Sequence, residues 1–155
     1  MLEVVKRIPL FHDLSDEQLE LIAPLFDMFT CPANYPIFEQ GEQAAYLYLL
    51  ICGTVALHYK PYDGASMILS HLHPGDAFGW SSVVGGQVYT SGILSETEIE
   101  AVRIRGRDLR KLCREHPRFG SVILDRLADA VSGRWKDSRQ QVQAILNRNL
   151  NKTAS

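Results

Sequence analysis

The stretch from Gly75 to Gly92 reads GDAFGWSSVVGGQVYTSG. Glycines bracket it, and Ser81, Ser82, Thr90 and Ser91 supply hydroxyls. Asp76 is its one carboxylate, and it contains no lysine or arginine. Glycine allows positive φ and close backbone approach, and free amides at the start of a helix are good anion donors. The segment therefore has the outline of an anion-holding loop that brings no cation of its own.

The chain around this loop changes character twice. From about Ala33 to Ile104, short apolar runs are cut by the turn signals ANYP, EQGEQ, CG, PYDG, HPGD and VVGGQ. Between them lie AYLYLLI, TVALHY, MILSHL, TSGILS and IEAVRI, rich in Tyr, Val, Ile, Leu and Thr. Short strands at this spacing, without intervening helices, predict an antiparallel sandwich or barrel. Upstream, Leu2 to Phe29 reads as helix. Ser15 and Gln18 form a capping box, Leu19, Ile22, Ala23 and Phe26 recur at helical spacing, and Pro24 marks a distortion or break. Downstream, GRDLRKLCREHP predicts a short helix ended by Pro117, followed by a long helix from Phe119 to about Leu146. Val131, Trp135, Ser138, Val142 and Ile145 form a coiled-coil-like seam on it. Such a stripe needs cover, and the large Trp135 side chain favours a second copy of the same helix as that cover.

The expected organisation is one domain. Residues 1–32 are N-terminal helices, 33–105 a β-roll holding the 75–92 segment, 106–117 a short helix, 118–147 a long dimerising helix and 148–155 a flexible tail. A length of 155 residues suits a single core. The composition, 46% hydrophobic and 22% charged with net charge −2, is that of a globular protein and argues against a broad nucleic-acid surface. Cys31, Cys52 and Cys113 are odd in number and widely spaced, which suits free thiols in a reducing cytoplasm better than a disulfide or zinc framework. The N-terminus lacks the plan of a signal peptide, and no apolar run reaches the roughly 20 residues of a membrane span.

The ordered set of residues resembles the cyclic nucleotide-binding domain family, the effector fold of catabolite-activator-type regulators. IPLFHDLSDEQLELIAPLF is similar to the family's opening helices. IFEQGEQAAYLYLLICGTVAL is similar to its first hairpins, with Phe38, Gly41, Tyr48 and Gly53 in family positions, and LHPGDAFG to the approach to its phosphate-binding cassette. Gly41, Gly53 and Gly64 are expected at tight turns or bulges that favour positive φ. The resemblance implies a mainly β fold, a cyclic nucleotide-binding-like β-roll (jelly-roll) with N-terminal helices and a long C-terminal helix. It also implies a ligand site made of Phe78, Gly79, Trp80, Ser81, Ser82, Tyr89, Thr90 and Ser91.

In the family, a glutamate after the cassette glycine binds the ribose and an arginine nine residues further pairs with the cyclic phosphate. Here those positions, read without a gap, are Trp80 and Tyr89. A charge-assisted hydrogen bond is worth roughly 1.5–3 kcal/mol, so loss of the arginine costs on the order of one to two decades in affinity. Cyclic AMP or cyclic GMP is thus expected to bind weakly. Tyr89 can donate one neutral hydrogen bond, and Arg126 or Arg134 on the long helix are candidate substitute cations. Two rings in place of two charges also suit a flat aromatic ligand, or a pocket that is simply filled.

Other chemistry is thin. His71 and His73 flank Leu72 and, with Asp76 and His58, faintly resemble the metal ligands of cupins. Leu72 takes the inward position, so the imidazoles are expected to face solvent. GWSSVVG is no nucleophile elbow, and no phosphate-binding P-loop is present. The expectation is a non-enzymatic sensor or regulatory domain, cytoplasmic and homodimeric through its C-terminal helix, acting on a downstream protein partner. It is expected to carry no DNA-reading module, membrane segment or metal. The rival readings are an interaction or scaffold domain with a closed pocket, and a cupin-like metal-dependent enzyme.

Overall fold

The computed structural model describes residues 1–83 and 88–130. The chain opens with α1 (Leu2–Lys6), a 3-10 turn at Pro9–Phe11, α2 (Asp16–Ile22) and a second 3-10 turn at Ala23–Leu25. Ser15 caps α2. Its hydroxyl accepts from the Gln18 amide at 3.2 Å, and the Gln18 side chain accepts from the Ser15 amide at 3.0 Å. Both bonds satisfy amides that lie ahead of the helical ladder.

The helix does not continue to Phe29, and the roll begins before residue 33. Pro24 lies in the 3-10 turn, and β1 (Phe26–Cys31) follows at once. Proline closes the helix, and FDMFTC then gains a full antiparallel ladder on the last strand, from Phe26 opposite Ile104 to Cys31 opposite Ile99. Tertiary pairing outweighs the helical spacing that Phe26 continues.

The remaining strands are β2 (Pro36–Phe38), β3 (Tyr46–Cys52), β4 (Val55–Tyr59), β5 (Met67–Leu72), β6 (Ala77–Phe78), β7 (Gly92–Ser95) and β8 (Ile99–Arg105). They form two four-stranded antiparallel sheets, ordered β1-β8-β3-β6 and β2-β7-β4-β5. Chain neighbours such as β3 and β4 lie in different sheets, which gives a jelly-roll. Of the glycines expected in strained turns, Gly41 and Gly53 have φ of 91° and 89°. Gly64 does not share this conformation; it closes a turn by donating to the Pro61 carbonyl.

Two cores result. Phe38, Tyr48, Leu50, Val55, Leu72, Phe78 and Ile93 pack between the sheets. Leu47, Leu49, Val102 and Ile104 face the other way and pack against Val5, Phe11, Ile22, Leu109, Ile123 and Leu127. Side chains alternate along a strand, so the run YLYLLI of β3 serves both cores.

α3 spans Gly106–Glu115, and a further helix, α4, begins at residue 117 and is described to residue 130. Pro117 opens α4 as well as closing the segment before it, as suits a residue without an amide hydrogen. The seam from Val131 to Ile145, with Arg134 and Trp135, lies outside the described residues, as does the tail.

Candidate functional site

The site forms where β6 ends. Gly79 has φ 89°, and a β-carbon there would stand 2.6 Å from the Tyr46 carbonyl oxygen. Any other side chain would be strained in conformation and in space. Trp80–Ser82 then make one 3-10 turn. The Ser82 and Val83 amides bond back to Gly79 and Trp80 at 3.1 and 2.9 Å, so neither is directed outward.

A cavity of about 60 Å³ lies against this turn. Phe78, Gly79, Trp80, Ser81, Tyr89, Thr90 and Ser91 line it, and Phe38, Leu57, Leu72 and Ala77 complete its apolar wall. Ser82 is the expected site residue that does not. It is 1% exposed, its hydroxyl donates to the Gly79 carbonyl at 2.8 Å, and its carbonyl accepts from Arg110 on α3. Small-molecule pockets usually exceed roughly 300 Å³. A 60 Å³ space holds a few waters.

Tyr89 closes part of the cavity wall. Its ring stacks on Phe38 with centroids 3.6 Å apart and planes at 13°. The hydroxyl donates to the Tyr46 carbonyl at 2.7 Å and accepts from the Tyr46 amide at 3.0 Å. The Tyr89 amide donates to Glu42 and its carbonyl accepts from Gly41, each at 2.9 Å. The side chain is 4% exposed, and burial pushes its pKa up to about 12, against the smaller opposing effect of the Tyr46 hydrogen bond. The donor that the sequence offers to a phosphate is therefore committed to β3. Trp80 is half-buried. It packs against the helical core while also lining the cavity.

Among the described residues, no lysine or arginine lines the cavity. One guanidinium on the inner face of β8, Arg103, was missed by sequence reasoning. Asp27, Arg103, Tyr48 and Phe78 form one row across β1, β8, β3 and β6. Arg103 lies 4.2 Å from the Tyr46 ring centroid and 5.1 Å from that of Phe29, and its buried Nε has no hydrogen-bond partner. Burial raises the pKa of Tyr48, and Arg103 beside it acts in the opposite direction. Alternation with Ile99 and Ala101 along β8 was the available clue that Arg103 points inward. Arg126 is not turned to the cavity. It donates to the Leu10 carbonyl at 2.8 Å and lies 3.7 Å from the Asp13 carboxylate.

Leu72 is 1% exposed, and His71 and His73 are exposed on either side of it. His71 pairs with Glu96 at 2.9 Å, while Asp76 accepts from the His73 amide at 2.8 Å. Among the described residues, no three potential metal ligands cluster. Burial also raises the thiol pKa values of Cys31 and Cys113. Raised pKa leaves less of the nucleophilic thiolate at neutral pH.

Two antiparallel sheets around a cavity, closed at one end by a one-turn helix and backed by α3, define a ligand-domain β-roll. The family model described as the cyclic nucleotide-binding domain matches residues 29–116. The chain belongs to that family. It is 30% identical over 141 residues to the cyclic AMP receptor protein of Thermus thermophilus, covering 91% of this chain and 63% of that relative. It is 32% identical over 115 residues to the cAMP-activated global transcriptional regulator of Pasteurella multocida, covering 74% and 53%. Thus the chain spans somewhat over half the length of these relatives. Among solved structures, a putative cyclic nucleotide-binding protein from Geobacter metallireducens superposes with TM-score 0.74 at 30% identity, over 86% of this chain and 96% of that one. The fold also resembles the regulatory subunit of a cAMP-independent protein kinase A from Trypanosoma brucei, with TM-score 0.72 at 15% identity, over 91% and 50% of the two chains. Among the described residues, no helix is long and apolar enough to cross a membrane.

Proposed function

We propose that this chain is a non-enzymatic regulatory domain whose site binds cyclic AMP or cyclic GMP weakly at most. The observation that carries this reading is Tyr89, which stands where the resemblance calls for arginine and spends its hydroxyl on both backbone groups of Tyr46. A phosphate entering there would meet a neutral ring. Among the described residues, the donors left to it are the amides of Trp80 and Ser81 and the hydroxyls of Ser81, Thr90 and Ser91. Cyclic AMP appears in the names of the matched receptor and regulator, which makes cyclic nucleotides the ligands to test first. The domain acts from the cytoplasm as a homodimer joined through residues 118–147 and signals to a protein partner.

Calorimetric titration with cyclic AMP and cyclic GMP tests the reading. The expected dissociation constants are millimolar. Micromolar binding would overturn the account of Tyr89. No heat at millimolar nucleotide would favour a second reading, an interaction domain with a filled pocket, which the small cavity and the Phe38–Tyr89 stack support.

A further inference from the structure

The turn Trp80–Ser82, whose first two residues line the cavity, backs directly onto the start of α3 through Ser82. A β-carbon on Gly106 would collide with the Ser82 carbonyl, and the Gly106 amide is tied to the Ala45 carbonyl at 2.9 Å. One turn further, the Arg110 guanidinium donates to that same Ser82 carbonyl. Hydrogen bonds from charged donors are about twice as strong as neutral ones. At the far end of α3 the approach is equally close. A β-carbon on Gly120 of α4 would stand 2.6 Å from the Cys113 Cα and 2.9 Å from its Sγ. At both joints the first atom met is backbone, the Ser82 carbonyl at one and the Cys113 Cα at the other.

We propose that Arg110 is a positioning residue that locks the cassette turn to α3 through Ser82, the residue behind the lining Trp80 and Ser81, so that the 80–82 turn, α3 and the start of α4 move as one body without a hinge at Gly106. This rests on reading the cavity as the ligand site. It assigns the residue through which a change at the wall reaches the helices. Gly106 and Gly120 supply contact, which resists compression. Arg110 supplies the pull, since it is the polar bond that would draw α3 after a retreating turn.

The test is a double-mutant cycle read at Cys113, which is half-buried beside Gly120. Cys52→Ser removes the exposed thiol, and Cys31 is 7% exposed. Leu57→Trp fills the cavity from its lining and stands in for an occupant. With Arg110 present, the filling variant should change the rate of Cys113 modification by an aromatic disulfide by about 2-fold or more, the lower end of coupling between contacting residues. In Arg110→Met the response should vanish, and Arg110→Lys should restore part of it. A purely structural role would shift the starting rate in Arg110→Met and leave the response to filling unchanged. An equal response in the Arg and Met backgrounds, or no response in either, would overturn the proposal. If Leu57→Trp does not fold, Thr90→Trp at the exposed rim runs the same cycle. No ligand enters this experiment, so a failed nucleotide titration would sink the proposed function and leave the lock standing.

Discussion

Tyr89 replaces a charge with a set of short-range bonds, and those bonds are measurable. Tyr89→Phe keeps the stack on Phe38 but leaves the Tyr46 amide and carbonyl without the hydroxyl. The expected cost is about 1–3 kcal/mol in chemical denaturation. The same hydroxyl carries a pH signature. Its folded pKa, about 12, lies above the unfolded value of 10.0, so the folded state holds the proton more tightly. That stability is complete below pH 10 and is lost as pH rises toward 12, by about 2–3 kcal/mol. Denaturation midpoints of the wild type should fall across this window by more than those of Tyr89→Phe. Tyr48 and the thiols of Cys31 and Cys113, shifted in the same direction, contribute to the decline they share.

Arg103 invites the opposite expectation. It is a half-buried cation whose Nε lacks a partner and which, among the described residues, makes no ion pair within 4.0 Å, although Asp27 stands opposite it in the ladder. A buried charge without a close counter-ion contributes little net stability, and an apolar side chain of similar length often does as well. Arg103→Met should therefore change stability by less than about 1 kcal/mol, the loss of its contact with Tyr46 offsetting the desolvation relieved. A loss of several kcal/mol on urea denaturation would show that the guanidinium is an essential strut. At this scale the sequence was legible in part. The absence of arginine and glutamate from the cassette could be read directly. The pair of hydrogen bonds between the Tyr89 hydroxyl and the Tyr46 backbone could not, because it joins residues 43 apart that meet only once the roll has closed.

Among elements, the strands from β3 to β5 and from β7 to β8 were legible because turn glycines and prolines bracket runs of β-branched and aromatic residues. β1 was missed because Phe26 extends the helical spacing of α2, and the strand is specified by its partner β8. β6, two residues long, carries too little pattern to be seen. The α2 capping box was visible because it is entirely local. Ser15→Ala should cost about 1 kcal/mol in thermal or chemical denaturation. Gly106→Ala tests the joint between the cassette turn and α3. Helix propensity alone would make it favourable by up to about 1 kcal/mol. The collision with the Ser82 carbonyl predicts instead a loss of at least about 2 kcal/mol, or failure to fold. A stable Gly106→Ala protein would mean that the joint has slack.

For the whole molecule, the family's fold is present while Trp80 and Tyr89 stand at the two positions where the resemblance calls for charges, so on the proposed reading affinity should be recoverable by chemistry. Trp80→Glu combined with Tyr89→Arg is predicted to gain about one to two decades in cyclic nucleotide affinity over the parent, as read by calorimetry. No gain would mean that the filled end of the roll, and not its lost charge, excludes the ligand. The overall architecture was legible because alternation, turn spacing and the return of helical period are distributed over the chain. Whether a pocket was open or filled was not, since volume depends on rotamers chosen jointly by Phe38, Phe78 and Tyr89.

β3 is the party wall of this molecule: Tyr48 and Leu50 furnish one room, Leu47 and Leu49 the other. A builder who stripped part of the helical room, by cutting the chain after Arg105, would remove Leu109, Ile123 and Leu127 and leave part of the roll's outer surface oily, an invitation to clump. The roll is therefore no transplantable module on its own. Anyone grafting this domain onto another protein should carry its helical lining with it.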